Sequence, residues 1–235
     1  LSDDAQLRVG YLYTQRNADV ETGPSILPET KRNDAGMTVS ATFDSRDTSF
    51  NPTRGIAAAL EYLYSDDSLG GELDWQRIEL GVALAIPVRK DVVRVTLAGG
   101  SDLDTDLPLD RKFSLGGPGS FPGLELGEQR ITDYWTASGS YLWKIKDLMS
   151  IRGQALYAGI RLTAGQAYGS LEELVIPQYD DDAMIYGGSL YIAGRTAAGP
   201  LTVGLGATST DSWALWVAVG RPIGNGTILE RGIFR

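Results

Sequence analysis

Large apolar residues recur at every second position in run after run of this chain. Trp213, Leu215, Val217 and Val219 alternate with Ala214, Trp216, Ala218 and Gly220, so one face is large and apolar and the other mostly small. Leu201, Val203 and Leu205 stand against Thr202, Gly204 and Gly206 in the same way. So do Trp135, Ala137, Tyr141 and Trp143 against Thr136, Ser138, Ser140 and Lys144. Helices place apolar residues three and four apart, whereas these runs have period two and predict strands. The pattern continues in Ile78 to Ile86, Val93 to Leu97, Ile56 to Tyr64, Met37 to Phe43 and Leu7 to Tyr13. About ten strands are expected, each near the ~9–11 residues that cross a bilayer when tilted.

An all-β chain of this kind is either a soluble sandwich or barrel, with its apolar face inward, or a transmembrane antiparallel β-barrel, with that face outward. The faces opposite the apolar stripes carry Gly, Ala, Ser and Thr with scattered Arg and Glu, as a water-filled or plugged lumen would. With strand directions alternating, Tyr13, Tyr64, Trp135, Tyr157, Tyr186 and Trp213 are expected at one end of the stripes, and Phe43 and Trp143 at the other. Two such rings match the interfacial girdles of outer-membrane barrels.

Connections and charge agree with the second architecture. Links at one end are long (14–36, 101–129, 163–183) or moderate (65–74, 207–212), and those at the other are mostly short (87–91, 144–148, 194–200), with a medium one at 44–54. The first set holds 20 acidic and 5 basic residues, the second, with the stretch from Arg221 on, 5 acidic and 10 basic. A soluble barrel has no physical reason to sort charge by end. The membrane-barrel reading therefore places 1–223 in an outer-membrane β-barrel segment and 224–235 in a periplasmic C-terminal tail.

The 235 residues suit a single β domain and contain neither Cys nor His. That excludes a disulfide framework, a thiolate or imidazole metal site, a Cys nucleophile and a Ser-His-Asp triad. No metal and no cofactor are expected, and Asp180, Asp181 and Asp182 read as a solvated acidic loop. A net charge of −9 opposes nucleic-acid binding, which needs a basic footprint. No Gly-x-Ser-x-Gly nucleophile elbow occurs, so no catalytic residue is expected in this segment.

The most distinctive stretch is Lys112 to Leu124 (KFSLGGPGSFPGL), inside the longest link. It lacks the Gly-Lys-Ser/Thr ending of a phosphate loop. Together with Asp44-Ser45-Arg46-Asp47 and Asn51-Pro52-Thr53-Arg54-Gly55, it resembles the barrel of the outer-membrane assembly and translocation (bacterial surface antigen) superfamily, which includes BamA, TamA and two-partner secretion transporters. In that superfamily Arg46, Asp47, Pro52 and Gly55 correspond to a D-x-R-D…P-T-x-G turn that opens a strand. The resemblance implies that this chain supplies about the last ten of sixteen strands, the others lying upstream of Leu1. It also implies that Phe113, Gly116, Gly117, Phe121 and Gly123 form a lumen plug or gate. Arg8, Glu61, Arg77, Glu79, Arg94 and Arg152 read either as a lumenal charge lattice positioning that plug or as merely wetted lumen residues.

Within the superfamily, Gly99 to Leu109 leading into Phe113 to Gly117, Tyr186 to Tyr191, and Gly199-Pro200-Leu201 with Val219 to Pro222 are closest to patatin-like type Vd autotransporters. BamA-like barrels carry an arginine at the tip of this loop, where Phe121-Pro122-Gly123-Leu124 places Pro122. The resemblance implies a bacterial outer-membrane barrel that anchors or translocates a patatin-like lipase passenger, with any lipase chemistry outside this chain. Implied partners are outer-membrane lipids and lipopolysaccharide, the barrel assembly machinery, an N-terminal passenger and a second copy in a homodimer. The rival functions are a general assembly factor of BamA or TamA type, a passive pore and a soluble acidic β-barrel binding module.

Overall fold

The computed structural model describes residues 4–18, 30–147, 155–169, 184–196, 199–220 and 227–229. Twelve strands are described: β1 (Ala5–Ala18), β2 (Thr30–Asp44), β3 (Gly55–Ser65), β4 (Trp75–Val88), β5 (Asp91–Ser101), β6 (Phe113–Leu115), β7 (Gln129–Ile131), β8 (Asp133–Asp147), β9 (Ala155–Tyr168), β10 (Ile185–Thr196), β11 (Gly199–Thr208) and β12 (Trp213–Val219). Ten of them form one antiparallel meander, β1-β2-β3-β4-β5-β8-β9-β10-β11-β12. β6 and β7 pair apart from it. Among the described residues, β1 and β12 are the two edges of the large sheet.

Period two sorts the side chains as the sequence predicts. Leu7, Val9, Leu80, Leu97, Leu190, Leu205, Leu215 and Val217 are each at least half exposed on one bare apolar face. On the other face Ala57, Ala59, Ala98, Thr136, Ser138, Thr163 and Ser189 are buried. A contiguous bare face of this extent is unfavourable in water and suits contact with hydrocarbon. Small residues on the opposite face instead make room for chain that lies over it.

The link between β5 and β8 fills that room. Arg111 Nη2 reaches Asp34 Oδ2 of β2 at 3.3 Å, and Gly206 of β11 lies directly under the Pro122 carbonyl. In a flat sheet those two strands, seven steps apart, would be separated by roughly 34 Å at ~4.8 Å per step. The stretch from Arg111 to Pro122 would have to be almost fully extended to span that distance, and it is instead folded back by a tight turn at Gly117 to Ser120. The sheet is therefore curled around the link, with the apolar face outside.

Register places the aromatic residues. Tyr13 opposes Ala35, Tyr64 opposes Met37, Trp135 opposes Gly99 and Gln166, Tyr186 opposes Ala164, and Trp213 opposes Ala207. All five stand at the long-link end of the bare face, and Phe43 and Trp143 stand at the short-turn end. Tyr157 departs from the expected ring on both counts. Its register partners Lys144 and Ala193 lie at the short-turn end, and it points to the covered face, packed with Ala85, Val92 and Leu142. The reason is parity: Leu156, Ile160 and Leu162 take the bare face, which turns Tyr157, Gly159, Arg161 and Thr163 inward.

The tail is a second departure. Thr227–Leu229, the described part of 224–235, lies on the covered face against β3 and β4, with Ile228 fully buried beside Ala57 and Ala59. Aliphatic side chains at 228 and 229 meet a wall of small residues there, which favours burial over exposure below the sheet.

Candidate functional site: a loop seated inside the sheet

The link between β5 and β8 is built to turn inward. Leu103 and Asp104 take positive φ in a turn closed by the Thr105 amide on the Asp102 carbonyl at 3.1 Å. Thr105 Oγ1 then accepts from the Gln76 amide at 2.9 Å, tying the descending chain to β4. After a turn at Pro108 to Arg111, Phe113 and Leu115 enter the short hairpin with Gln129–Ile131.

Gly116 and Gly117 carry the chain into the tip at φ 121° and 92°, a region only glycine enters without strain. A Cβ on Gly116 would lie 2.1 Å from the Glu125 carbonyl oxygen. The tip closes on itself through Gly117 N–H to the Leu124 carbonyl at 3.0 Å, Leu124 N–H to the Phe121 carbonyl at 3.0 Å, and Gly116 N–H to Ser120 Oγ at 3.0 Å.

Its seat is apolar at the centre. Phe113, Leu115, Phe121 and Leu124 are at most 2% exposed and pack with Trp75, Leu107, Ile131, Tyr134 and Ile185. Glycines on the wall receive the tip. A Cβ on Gly206 would stand 2.3 Å from the Pro122 carbonyl oxygen, one on Gly165 2.9 Å from Phe121 Cζ, and one on Gly187 3.1 Å from Pro122 Cδ. Gly123 in turn lies against the β11–β12 link, where a Cβ would meet Thr208 N at 2.5 Å.

Charged groups fasten the rim of the seat. Arg77 Nη1 donates to the Arg111 carbonyl at 2.8 Å, and its Nη2 pairs with Glu79 Oε2 at 2.8 Å. Glu79, 1% exposed, also accepts from the Tyr134 hydroxyl at 2.6 Å. Lys112 Nζ donates to the Gly169 carbonyl at 2.9 Å. Arg161 of β9 donates to the Gly119 carbonyl and to Ser138 Oγ, the latter at 2.8 Å. Charge-assisted hydrogen bonds of this kind, in a site shielded from water, hold geometry better than exposed ones.

Phe113, Gly116, Gly117, Phe121 and Gly123 thus come together in one loop seated on the covered face, with Arg77 and Glu79 at its edge. Glu61 lies on the same face, the register neighbour of Glu79 and Ser40. Arg94 serves elsewhere, donating to the Pro52 carbonyl at 3.0 Å and to Asn51 Oδ1 at the short-turn end. Arg8 bonds Gln6 Oε1 on its own strand at 2.7 Å, and Arg152 lies outside the described residues. Sequence reading passed over Arg161, although a lone arginine between Gly159 and Thr163 on the small-residue side of β9 is the available signal.

The motif turn is a separate structural device. Arg46 Nη2 pairs with Asp44 Oδ2 at 2.7 Å, and Asp47 Oδ1 accepts from Thr53 N–H at 2.9 Å. Burial pushes the Asp47 carboxyl up, but hydrogen bonds from Thr53, Arg54 and Thr48 outweigh it and hold the carboxyl below its ordinary value. Gly55 at φ 105° lets the chain pass the Ser45 carbonyl, which a Cβ would approach to 2.5 Å. At the opposite end, Asp66, Asp67 and Asp74 gather in one link, where Asp66 accepts from Ser68 N–H and Asp74 from Asp67 N–H. Asp180, Asp181 and Asp182 fall outside the described residues.

No curated protein matches the chain. Among solved structures, the crystal structure of BamA from Haemophilus ducreyi lacking POTRA domains 1-3 superposes with a TM-score of 0.71 at 12% identity. The match covers 92% of this chain and 51% of that one, so the chain spans about half the length of its structural relative. Residues 1–173 match the Omp85 superfamily domain. Alternating strands, an inward loop and that match lead to one assignment: the chain belongs to the Omp85 superfamily.

Proposed function

We propose that this chain is the membrane-spanning barrel part of an outer-membrane protein that assembles or translocates other polypeptides, acting as a general assembly factor of BamA or TamA type. The observation that carries the reading is the plug. A bare apolar face fits lipid, while the lumen is filled by a loop held through an apolar centre and a few charged fasteners. Such a seat keeps a passage shut at rest and can release without unfolding the wall, because the tip and hairpin are closed by their own backbone hydrogen bonds while side-chain bonds fasten the loop to the wall. Outer-membrane lipid, lipopolysaccharide and the assembly machinery are the partners this reading implies.

A second reading has one observation in its favour. Pro122 occupies the loop tip where BamA-like barrels carry arginine, a feature shared with patatin-like type Vd autotransporters, in which the barrel would anchor or export a lipase passenger. Deleting the gene and quantifying the outer-membrane proteome separates the two. Broad loss of other barrel proteins is the result expected of an assembly factor. Loss of a single surface lipase with the remaining barrels unchanged would overturn that reading in favour of the passenger.

A further inference from the structure

The lumen holds a second occupant besides the loop. Thr227 is 3% exposed and Ile228 fully buried, on the inner side of β3 and β4. The Ile228 side chain sits in a notch floored by Ala57 and Ala59, with Leu229 packed alongside. Missing side chains create the notch: a Cβ on Gly81 would stand 2.6 Å from Leu229 Cγ and 2.7 Å from Ile228 Cγ2. The backbone is held as well, since the Ile228 amide donates to Glu79 Oε1 at 2.8 Å.

That carboxylate is already fixed. Tyr134 donates to the same oxygen, and Arg77 pairs with the other. It is therefore oriented before the amide arrives, and its bond to the segment carries little ordering cost. One pocket reads an aliphatic side chain and one acceptor reads a main-chain N–H. Neither element reads further sequence, which suits a ligand of varied composition.

We propose that Ala57, Ala59, Gly81 and Glu79 form a lumenal binding site for a short aliphatic stretch of polypeptide, and that Thr227–Leu229 occupies it in cis as a second plug. The occupant it is built to exchange for is an apolar segment of a polypeptide in transit. This rests on the translocating role above. Because Arg77 also holds the Arg111 carbonyl, exchange at Glu79 is felt directly by the loop.

The test uses the full-length protein in outer membranes and planar bilayers. The chain has no cysteine, so the pair Ala59→Cys with Ile228→Cys, whose side chains pack together, is expected to form a disulfide on mild oxidation, detected by mass spectrometry. The pair Leu60→Cys with Ile228→Cys, with position 60 on the lipid face, is expected to stay reduced. In bilayers, Ile228→Asp is expected to raise conductance, and the peptide acetyl-Gly-Thr-Ile-Leu-amide to block that current. Adding Ala57→Asp to Ile228→Asp should abolish the block.

Absence of the Ala59–Ile228 disulfide, unchanged conductance in Ile228→Asp, or a peptide block that is absent or survives Ala57→Asp each overturns the proposal. None of these readouts depends on whether gene deletion depletes other barrels, so failure of the assembly role shows separately.

Discussion

The guanidinium carbon of Arg77 stands 4.1 Å from the centroid of the Phe113 ring. This contact joins the strand wall to the seated loop at the point where Glu79 neutralises the arginine and Tyr134 packs edge-on against the ring at 5.2 Å. Phe113→Ala should weaken loop seating by ~3–5 kcal/mol, the usual loss for a buried phenylalanine, and Phe113→Leu by less. Trypsin cleavage after Arg111 and Lys112 in outer-membrane vesicles is the readout. Wild-type resistance in the alanine variant would show that the ring does not hold the loop.

Gly206→Val should displace the loop tip, because the Pro122 carbonyl leaves no space for a Cβ at that position. Hydrogen exchange at the Gly117 and Leu124 amides should accelerate. Gly139→Val provides the contrast, since nothing lies within 4 Å of a Cβ there. Equal exchange in the two variants would refute the seat described for the tip.

Val217 and Ala218 are neighbours on β12 that face opposite media. Val217→Arg should impair assembly by ~2–4 kcal/mol if its side chain lies near the bilayer midplane, whereas a lumen can hydrate the arginine of Ala218→Arg. Heat-modifiable gel mobility reports the folded fraction. Matching losses at the two sites would contradict the sorting of faces.

Asp66, in the link between β3 and β4, accepts from Ser68 Oγ and N–H and from the Tyr64 hydroxyl, and these bonds lower its carboxyl to about 2. A depressed acid stabilises the folded link above its ordinary value of 3.8, and that contribution disappears as pH falls through about 2. In Ser68→Ala the titration midpoint should rise toward 3.8, followed by the carbon-13 shift of the Asp66 carboxyl. An unmoved midpoint would assign the depression to other groups.

Strand existence and facing were legible because period two acts on every residue of a strand, so Leu7, Leu97 or Leu215 each repeats the same information. Aromatic character alone does not place Tyr157, whose inward facing follows from the parity of Leu156, Ile160 and Leu162 beside it. Glycines at 116 and 117 announced a tight tip, but the strands that receive it depend on contacts between distant segments. Arg161 meeting Gly119 is one such contact, and the Ile228 amide meeting Glu79 is another, 149 residues apart. Short segments such as Thr227–Leu229 carry no period, so their destination is set by the shape of the wall and not by their own pattern.

Gly165, Gly187 and Gly206 sit on three adjacent strands beneath Phe121 and Pro122. The outline of the tip is thus written in the wall as missing atoms, and loop and wall cannot be exchanged separately. A chimera that carries Lys112 to Leu124 into another barrel without these three glycines would inherit the sequence of the loop but not its conformation.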